Sequence, residues 1–344
     1  MSYIMVHEDI EKKLLMILRI LQEEDGPIGS RMIAARMSKQ GVALSERTIR
    51  YHLRMLDERG LTTLIDRHDG RVITDLGSEE INNARVRDKV GLSISRIENL
   101  AFQTTFDPRT CQGLLPMNVS FFPQRSFKKA LAAMKGAFKA GLAISHLVAV
   151  AEEGNRIGGI NVPTGQVAFA TVCSITINGV LLKRGVPMDS KFGGILEINQ
   201  NRPLRFVELI HYSGSSLDPS EVFILGRMTS VRAALAGDRG KILANFREIP
   251  ARSRSLVEEL VKELGETGIG GVISLGRPGD PLCEIPLDIN KVGMILLGGL
   301  NPVACAHEAG IAVENRAMSM VLDYHSLRSF WDICPGGVRN LSQQ

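Results

Sequence analysis

Three segments of the first sixty residues carry apolar side chains at helical spacing. In Asp9–Glu24 apolar residues recur every three or four positions, and Gly26-Pro27 ends the pattern. Ser30 is placed to cap a second, shorter helix. The third pattern spans Ser45–Glu58 and stops at Gly60, so we expect three helices in succession.

A hairpin is predicted directly after the third helix. Leu61–Ile65 and Val72–Thr74 are short apolar runs, and Asp69-Gly70 between them is a typical turn dipeptide. Three helices followed by a two-stranded wing is the order of a winged helix-turn-helix domain, which we expect over residues 1–78.

The third helix is apolar on one side and basic on the other. At 100° per residue, Ile49, Leu53 and Leu56 share one face, opposite Arg47, Arg50, Tyr51 and Arg54. An arginine fork can pair with guanine edges or grip phosphates, although a solvated basic face has the same pattern. The predicted DNA-binding residues are Ser45, Arg47, Thr48, Arg50, Tyr51 and Arg54, with Arg67, His68 and Arg71 at the hairpin.

Charge supports this assignment only locally. The 344 residues carry a formal net charge of +4, which says little by itself, but residues 31–71 hold nine basic and five acidic side chains. Hydrophobic content of 44% and charged content of 23% are ordinary for a soluble globular protein. No apolar run is long enough for a membrane span and no basic signal sequence is present, so we expect a cytoplasmic protein.

The remaining chain contains an internal duplication. Residues 79–104 form a predicted helical connector. Residues 105–335 then read twice as helix, strand, strand ending in apolar-Pro, strand, Asn-x-Val, helix and Gly-apolar strand. Pro163 precedes Asn178 by the same interval as Pro286 precedes Asn301. We therefore predict an α/β (α+β) domain with two similar lobes, about 105–225 and 226–335.

Each predicted lobe has a polar turn between a strand and a helix. The turns are Cys173–Asn178 and Gly298–Pro302. Free N–H groups at a helix start favour an anion, but the two asparagines could equally be plain helix caps.

Enzymatic signatures are missing from the sequence. Neither a GxGxxG nor a Walker loop is present, and no HExxH occurs among the seven histidines. Cys305 and His307 lack a third partner, and His146 in an apolar strand is typical of a core histidine. The five cysteines are widely spaced, so we read them as reduced thiols without metal. We expect a protein that is not an enzyme and holds no cofactor.

Several stretches resemble the NrpR family. Ser45–Leu53 and Leu56–Leu61 resemble archaeal winged-helix regulators, and a similar winged helix occurs in ribonuclease R. Val292–Ile311, Thr104–Asp107, Met228–Val231 and Ala244–Pro250 resemble the NrpR regulatory domain, in the family's order of one winged helix and one regulatory domain.

The resemblance implies a function and a site. It implies a homodimeric repressor of nitrogen-assimilation genes that binds an inverted-repeat operator in double-stranded DNA and is relieved by 2-oxoglutarate, a small dicarboxylate. A regulator that senses another metabolite, or an RNA-binding protein, are the alternatives. We expect the effector between the two lobes, near His146, Cys173, Ser174, Thr176, Asn178, Gly299, Asn301 and Arg316.

Overall fold

The structure is a computed structural model that describes residues 2–24, 26–66, 70–83, 91–200 and 202–334. The chain divides into two compact units, residues 1–90 and 91–344. Each unit has a hydrophobic core of its own. The chain combines helices and antiparallel sheets, as the predicted α/β class requires.

The first unit has the predicted order of three helices and a hairpin. Its elements are α1 (Ser2–Gln22), α2 (Ser30–Lys39), α3 (Glu46–Glu58), β1 (Thr62–Asp66), β2 (Gly70–Ile73) and α4 (Asp75–Asn83). Ser30 is the first residue of α2 and Gly29 its cap, one position earlier than predicted. Ile28 bridges to Arg71 and so adds a third, minimal strand to the hairpin. The apolar faces of α1, α2 and α3 meet in the core of this unit.

The second unit alternates strands and helices along the chain. Its helices are α5 (Leu92–Gln103), α6 (Phe127–Lys139), α7 (Ile175–Lys183), α8 (Pro219–Leu225), α9 (Val231–Leu235), α10 (Arg254–Glu266), α11 (Asn301–Glu308) and α12 (Phe330–Ile333). Its strands are β3 (Leu114–Pro123), β4 (Leu147–Glu152), β5 (Arg156–Ile157), β6 (Ile160–Asn161), β7 (Gln166–Val172), β8 (Asp189–Asn199), β9 (Arg202–His211), β10 (Gly240–Pro250), β11 (Val272–Leu275), β12 (Lys291–Leu297), β13 (Glu314–Asp323) and β14 (Arg328–Ser329).

Two five-stranded sheets share these strands in an unexpected way. One sheet has the order β13-β3-β7-β4-β14 and the other β11-β12-β10-β8-β9. Strand β8 of the first half pairs antiparallel with β10 of the second half, and β13 of the second half pairs antiparallel with β3 of the first. Each sheet therefore contains strands from both halves and differs from the contiguous lobes predicted at 105–225 and 226–335. The reason is that β8 and β13 find their hydrogen-bond partners across the duplication.

The duplication itself is visible element by element. Pro123 and Pro250 end the first strand of each half, and each is followed by a short 3-10 turn and a 13-residue helix. Gly185 and Gly310, both at positive φ, follow the second helix of each half.

The structure gives a different correspondence between residues of the two halves from the one that the sequence comparison gave. Strands β7 and β12 have equal lengths, and so have the stretches from their ends to Gly185 and Gly310. Counting along these elements places Thr176, and not Asn178, opposite Asn301. The equal Pro-to-Asn intervals in the sequence therefore paired Asn178 with the wrong residue of the second half.

Strand β13 is interrupted by a bulge. Arg316 pairs with Val119 and Met320 with Met117, so two extra residues leave the ladder between them. Met318 within the bulge has a φ of +50°, a strained conformation for a side chain of this kind. The bulge turns Ala317 and Met318 towards the junction of the two halves.

Candidate functional site

The outward face of α3 is strongly basic. The helix buries Ile49, Leu53 and Leu56 completely and exposes Arg47, Arg50, Tyr51 and Arg54. Within the described part of this unit, none of the three arginines forms an ion pair. Ser45 caps the helix, because its Oγ accepts the Thr48 N–H at 3.1 Å. The geometry leaves three guanidinium groups and a tyrosine on one accessible surface.

Arg71 does not belong to that surface. Its Nε donates to Oδ2 of Asp57 at 2.8 Å, and Thr62 donates to Oδ1 of the same carboxylate at 2.6 Å. This network ties the hairpin to α3 and engages Arg71 inside the unit, while a DNA contact at Arg71 stays a prediction. Arg67 and His68, the other predicted hairpin residues, lie outside the described residues.

A polar pocket lies where the two halves of the second unit meet. The pocket is small and partly open to solvent. Corresponding residues of both halves line it in pairs: Asn118 with Asn245, Ser174 with Gly299, and Ile175 with Leu300. The first turns of α7 and α11 therefore both reach this pocket. Gly299 is required at its position, because an added Cβ would come within 2.5 Å of Nδ2 of Asn118.

Arg247 gives the pocket its charge. The side chain is only 1% exposed, and its Nε has no hydrogen-bond partner. Nη1 makes one long bond of 3.5 Å to the Phe246 carbonyl oxygen, and the guanidinium carbon lies 4.9 Å from the Tyr212 ring centre. No described carboxylate forms an ion pair with it. A buried cation without a counter-ion is costly, and an anionic ligand would relieve that cost.

Two acidic residues lie beside the pocket, but backbone groups engage both. Asp218 accepts the N–H groups of Ser220 and Glu221 at 2.8 and 3.3 Å and so caps α8. Glu221 accepts the Ala317 N–H at 2.5 Å and thereby holds the β13 bulge. Burial raises the pKa of Asp218, and burial together with the Asp218 charge raises the pKa of Glu221 to about 7. Glu221 is therefore only partly ionised near neutral pH.

A hydrogen-bond chain joins the two halves at the pocket. Tyr212 donates to Oδ1 of Asn245 at 2.5 Å, and Nδ2 of Asn245 donates to Oγ of Ser174 at 3.2 Å. On the other side, Oδ1 of Asn118 accepts the Met318 N–H at 3.0 Å. Burial raises the pKa of Cys173 to about 12, so its thiol stays protonated. The lining is thus a set of preorganised polar groups around one cation.

The structure brings together three of the eight predicted effector residues. Cys173, Ser174 and Gly299 line the pocket.

The other five predicted residues have different surroundings. Asn301 holds the N–H and carbonyl of Leu243 at 2.8 and 3.0 Å, Nδ2 of Asn178 donates to Ser190, and Thr176 is fully buried. His146 packs against Gly268, and Arg316 pairs with Glu314 over the Phe121 ring. None of these five lines the pocket.

The sequence analysis missed the pocket's most distinctive members, which are Asn118, Tyr212, Asp218, Asn245 and Arg247. One signal was available. Asn118 precedes Pro123 by the same interval as Asn245 precedes Pro250, so the repeat extends upstream of the stretch that was compared. Arg247 has Ser120 as its counterpart, and the repeat therefore could not indicate it.

The described residues contain neither a membrane-spanning helix nor a metal-binding cluster. Within those ranges, no helix combines the length and the apolar character needed to cross a membrane. Nor does that part of the chain bring together three His, Cys, Asp or Glu side chains that could hold a metal ion.

Sequence and structure comparisons identify relatives over both units. Residues 90–329 match a family model described as NrpR regulatory domains NRD1 and 2, and residues 15–81 match the ribonuclease R winged-helix domain. The chain is 39% identical over 324 residues to the global nitrogen regulator NrpRI of Methanosarcina mazei, which covers 94% of this chain and 99% of the relative.

More distant relatives are longer than this chain. The global nitrogen regulator NrpR of Methanococcus maripaludis is 29% identical over 90% of this chain, which spans 54% of that relative. A crystal structure of a nitrogen repressor-like protein from Methanococcus jannaschii superposes with a TM-score of 0.60 at 29% identity, covering 70% of this chain and 99% of that one.

Proposed function

The chain belongs to the NrpR family of nitrogen regulators, and from that membership we propose that it is a repressor that releases DNA when 2-oxoglutarate binds. The relatives are named as regulators, which supports a regulator rather than an enzyme. The observation that carries the effector part is Arg247, a buried cation without an acidic partner among the described residues.

DNA binding is assigned to α3. Its exposed Arg47, Arg50 and Arg54 lie on one side of a helix that is rigidly seated in the core, which suits insertion into a major groove. A single winged helix reads one half-site, so a homodimer matches an inverted repeat. We assign dimerisation to the second unit, which supplies most of the apolar surface of the chain.

The pocket suits a dicarboxylate. The guanidinium of Arg247 can hold one carboxylate in a bidentate pair, and the beginnings of α7 and α11 with the Ser174 hydroxyl can receive the other. Asn118 and Asn245 add amide groups for the keto oxygen. Because the lining comes from both halves, a ligand here would bias the angle between them.

A route leads from the pocket towards the first unit along the chain. Ser215 and Leu217 lie between the pocket residues Tyr212 and Asp218. The Ser93 hydroxyl donates to the Leu217 carbonyl at 2.8 Å, and the Ser93 N–H donates to the Ser215 carbonyl at 3.2 Å. Ser93 is in the first turn of α5, directly after the boundary between the units. Movement of this segment on ligand binding would therefore move the start of α5.

Two titrations on the full chain test the proposal. In calorimetry 2-oxoglutarate should release or absorb heat at a single site, and glutarate, which has the same five carbons but lacks the keto group, should bind more weakly. In fluorescence anisotropy 2-oxoglutarate should release a labelled duplex from the promoter of a nitrogen-assimilation gene. Absence of heat and of thermal stabilisation at millimolar 2-oxoglutarate would refute the effector, while DNA binding would stand on its own measurement.

RNA is the alternative nucleic acid, because the winged helix matches the ribonuclease R domain. Duplex DNA and RNA of the same sequence, titrated at equal salt, separate the two. Preference for the RNA would replace the repressor assignment. A metabolite acid other than 2-oxoglutarate is the second alternative, and the same calorimetry with a panel of carboxylates identifies it.

A further inference from the structure

Helix α6 of the second unit has a strongly basic outer surface. Residues 125–139 contain five basic and no acidic side chains. Four of them are exposed, and we call these the α6 basic face: Arg125, Lys128, Lys129 and Lys139. The opposite side of the helix is apolar and buried in the core. The three lysines therefore project from a fixed helix, and Arg125 lies in the 3-10 turn that precedes it.

The lysines are arranged along the helix axis. At 100° per residue Lys128 and Lys139 differ by about 20° in direction and are separated by about 16 Å along the axis. Lys129 lies a quarter turn to one side. This spacing places separate ammonium groups within reach of different phosphates of one nucleic-acid strand. Ala132, between the lysines, adds only a small side chain to this surface.

The corresponding helix of the second half allows the charge of α6 to be compared within the same unit. Helix α10 corresponds to α6, yet residues 252–266 hold three basic and four acidic side chains. Arg125 and Lys135 have the basic counterparts Arg252 and Lys262. The counterparts of Lys128, Lys129 and Lys139 are Ser255, Leu256 and Glu266. The fold therefore does not require these three lysines, because the same helix position in the other half is built without them.

Neighbouring carboxylates do not neutralise the α6 basic face. Within the described ranges, none of its four residues forms an ion pair. Glu153 accepts the Gly165 N–H, and Glu308 accepts the N–H groups of Val231 and Arg232. On α10, by contrast, Arg254 pairs with Glu258 at 2.9 Å. The excess positive charge of α6 is available to a partner.

We propose that the α6 basic face binds the phosphate backbone of duplex DNA beside the operator. The proposal rests on DNA as the partner of this chain and is independent of the effector. Lysine presents a compact charge that attracts phosphate without reading bases. The described residues on this face include no exposed aromatic or large aliphatic side chain, which protein partners usually require.

The test compares two double variants of the full chain. Lys128→Gln/Lys139→Gln removes two charges from α6, and Arg252→Gln/Lys262→Gln removes two from the corresponding positions of α10. Both pairs are on the surface or near it, and equal thermal midpoints would show intact folds. Binding is measured over a range of salt on a duplex limited to the operator and on a duplex with long flanks.

We expect the α6 variant alone to lose affinity, and only on the flanked duplex. Counter-ion release predicts that the salt slope falls by about 0.9 for each lost contact, which is roughly fivefold in affinity per lysine at physiological salt. Equal slopes for the α6 variant and the wild type on the flanked duplex would overturn the proposal, and so would equal losses on both duplexes. An Arg50→Ala variant, measured in parallel, reports separately on the α3 assignment.

Discussion

Replacing Arg247 by methionine should stabilise the protein and weaken the binding of its effector. Methionine has a similar length and needs no hydrogen bonds, so it can fill the same buried space. In the free protein Arg247 contributes little stabilisation, because it has one hydrogen bond of 3.5 Å and the contact with the Tyr212 ring. These contacts are worth about 1–2 kcal/mol, whereas burying the charge costs several kcal/mol.

The substitution should raise stability and lower effector affinity, and the size of each effect can be estimated. The net gain in the free energy of unfolding is about 1–3 kcal/mol, which raises the midpoint of a domain of this size by about 2–4 °C per kcal/mol. Loss of a bidentate carboxylate pair removes two charge-assisted hydrogen bonds of about 1.5–3 kcal/mol each. At 1.4 kcal/mol per tenfold, the affinity for 2-oxoglutarate should fall more than about a hundredfold.

Thermal denaturation without ligand and calorimetry with 2-oxoglutarate measure the two effects on one sample. Arg247→Lys is the matched control, because it keeps the charge but lacks the planar fork, and we expect an intermediate affinity. A methionine variant that melts earlier than the wild type and binds the effector equally well would refute the reasoning. Arg247 would then be a structural residue, and the pocket would lose the cation on which the proposal depends.

Four further outcomes are expected. Arg50→Ala should abolish operator preference at a cost of about 1–3 kcal/mol per lost base contact, with an unchanged melting curve, as competition against unrelated DNA will show. Ser93→Ala should leave both affinities intact but reduce the effect of 2-oxoglutarate on DNA binding; full release by this variant would exclude the α5 route. The pKa of Glu221 is raised from 4.5 to about 7 in the folded state. Protonation of Glu221 therefore stabilises the folded state fully below pH 4.5, and this contribution is lost as the pH rises through about 7. The difference in the free energy of unfolding between the wild type and Glu221→Gln should change across that window. Residues 1–90, which have their own core, should be largely monomeric in light scattering, and a dimeric fragment would contradict the dimer assignment.

The sequence alone was sufficient to predict those elements whose structure is determined by neighbouring residues. Helix α3 was predicted to within one residue because its apolar face, the Ser45 cap and the Gly60 stop all lie within sixteen positions. The duplication was also readable, since it repeats elements in order. The pairing of strands between the two halves could not be predicted, because hydrogen bonds such as those of β8 with β10 leave no periodic signal in either strand.

The role of Arg247 in the pocket could not be predicted from the sequence either. In β10 Arg247 is buried, as its neighbour Phe246 is, and it shares a side of the strand with Asn245. The alternation of polar and apolar positions would assign such a side to solvent, and only the elements packed over it reveal a pocket. Asn301 shows the reverse case, because this polar residue at a promising turn is buried and binds the Leu243 backbone. Thr176 is fully buried as well, and its hydroxyl has no hydrogen-bond partner among the described residues.

The exchange of strands between the halves has a consequence for how the protein is made. Strand β3 lies near the start of the second unit, but its partner β13 (Glu314–Asp323) follows far along the chain and is synthesised much later. Until then the edge of β3 offers unpaired N–H and carbonyl groups to other chains. Completion of the first sheet must therefore wait for the synthesis of β13, and sequence-distant pairings of this kind fold slowly. A chain that stops before Glu314 should aggregate rather than yield a smaller regulatory domain.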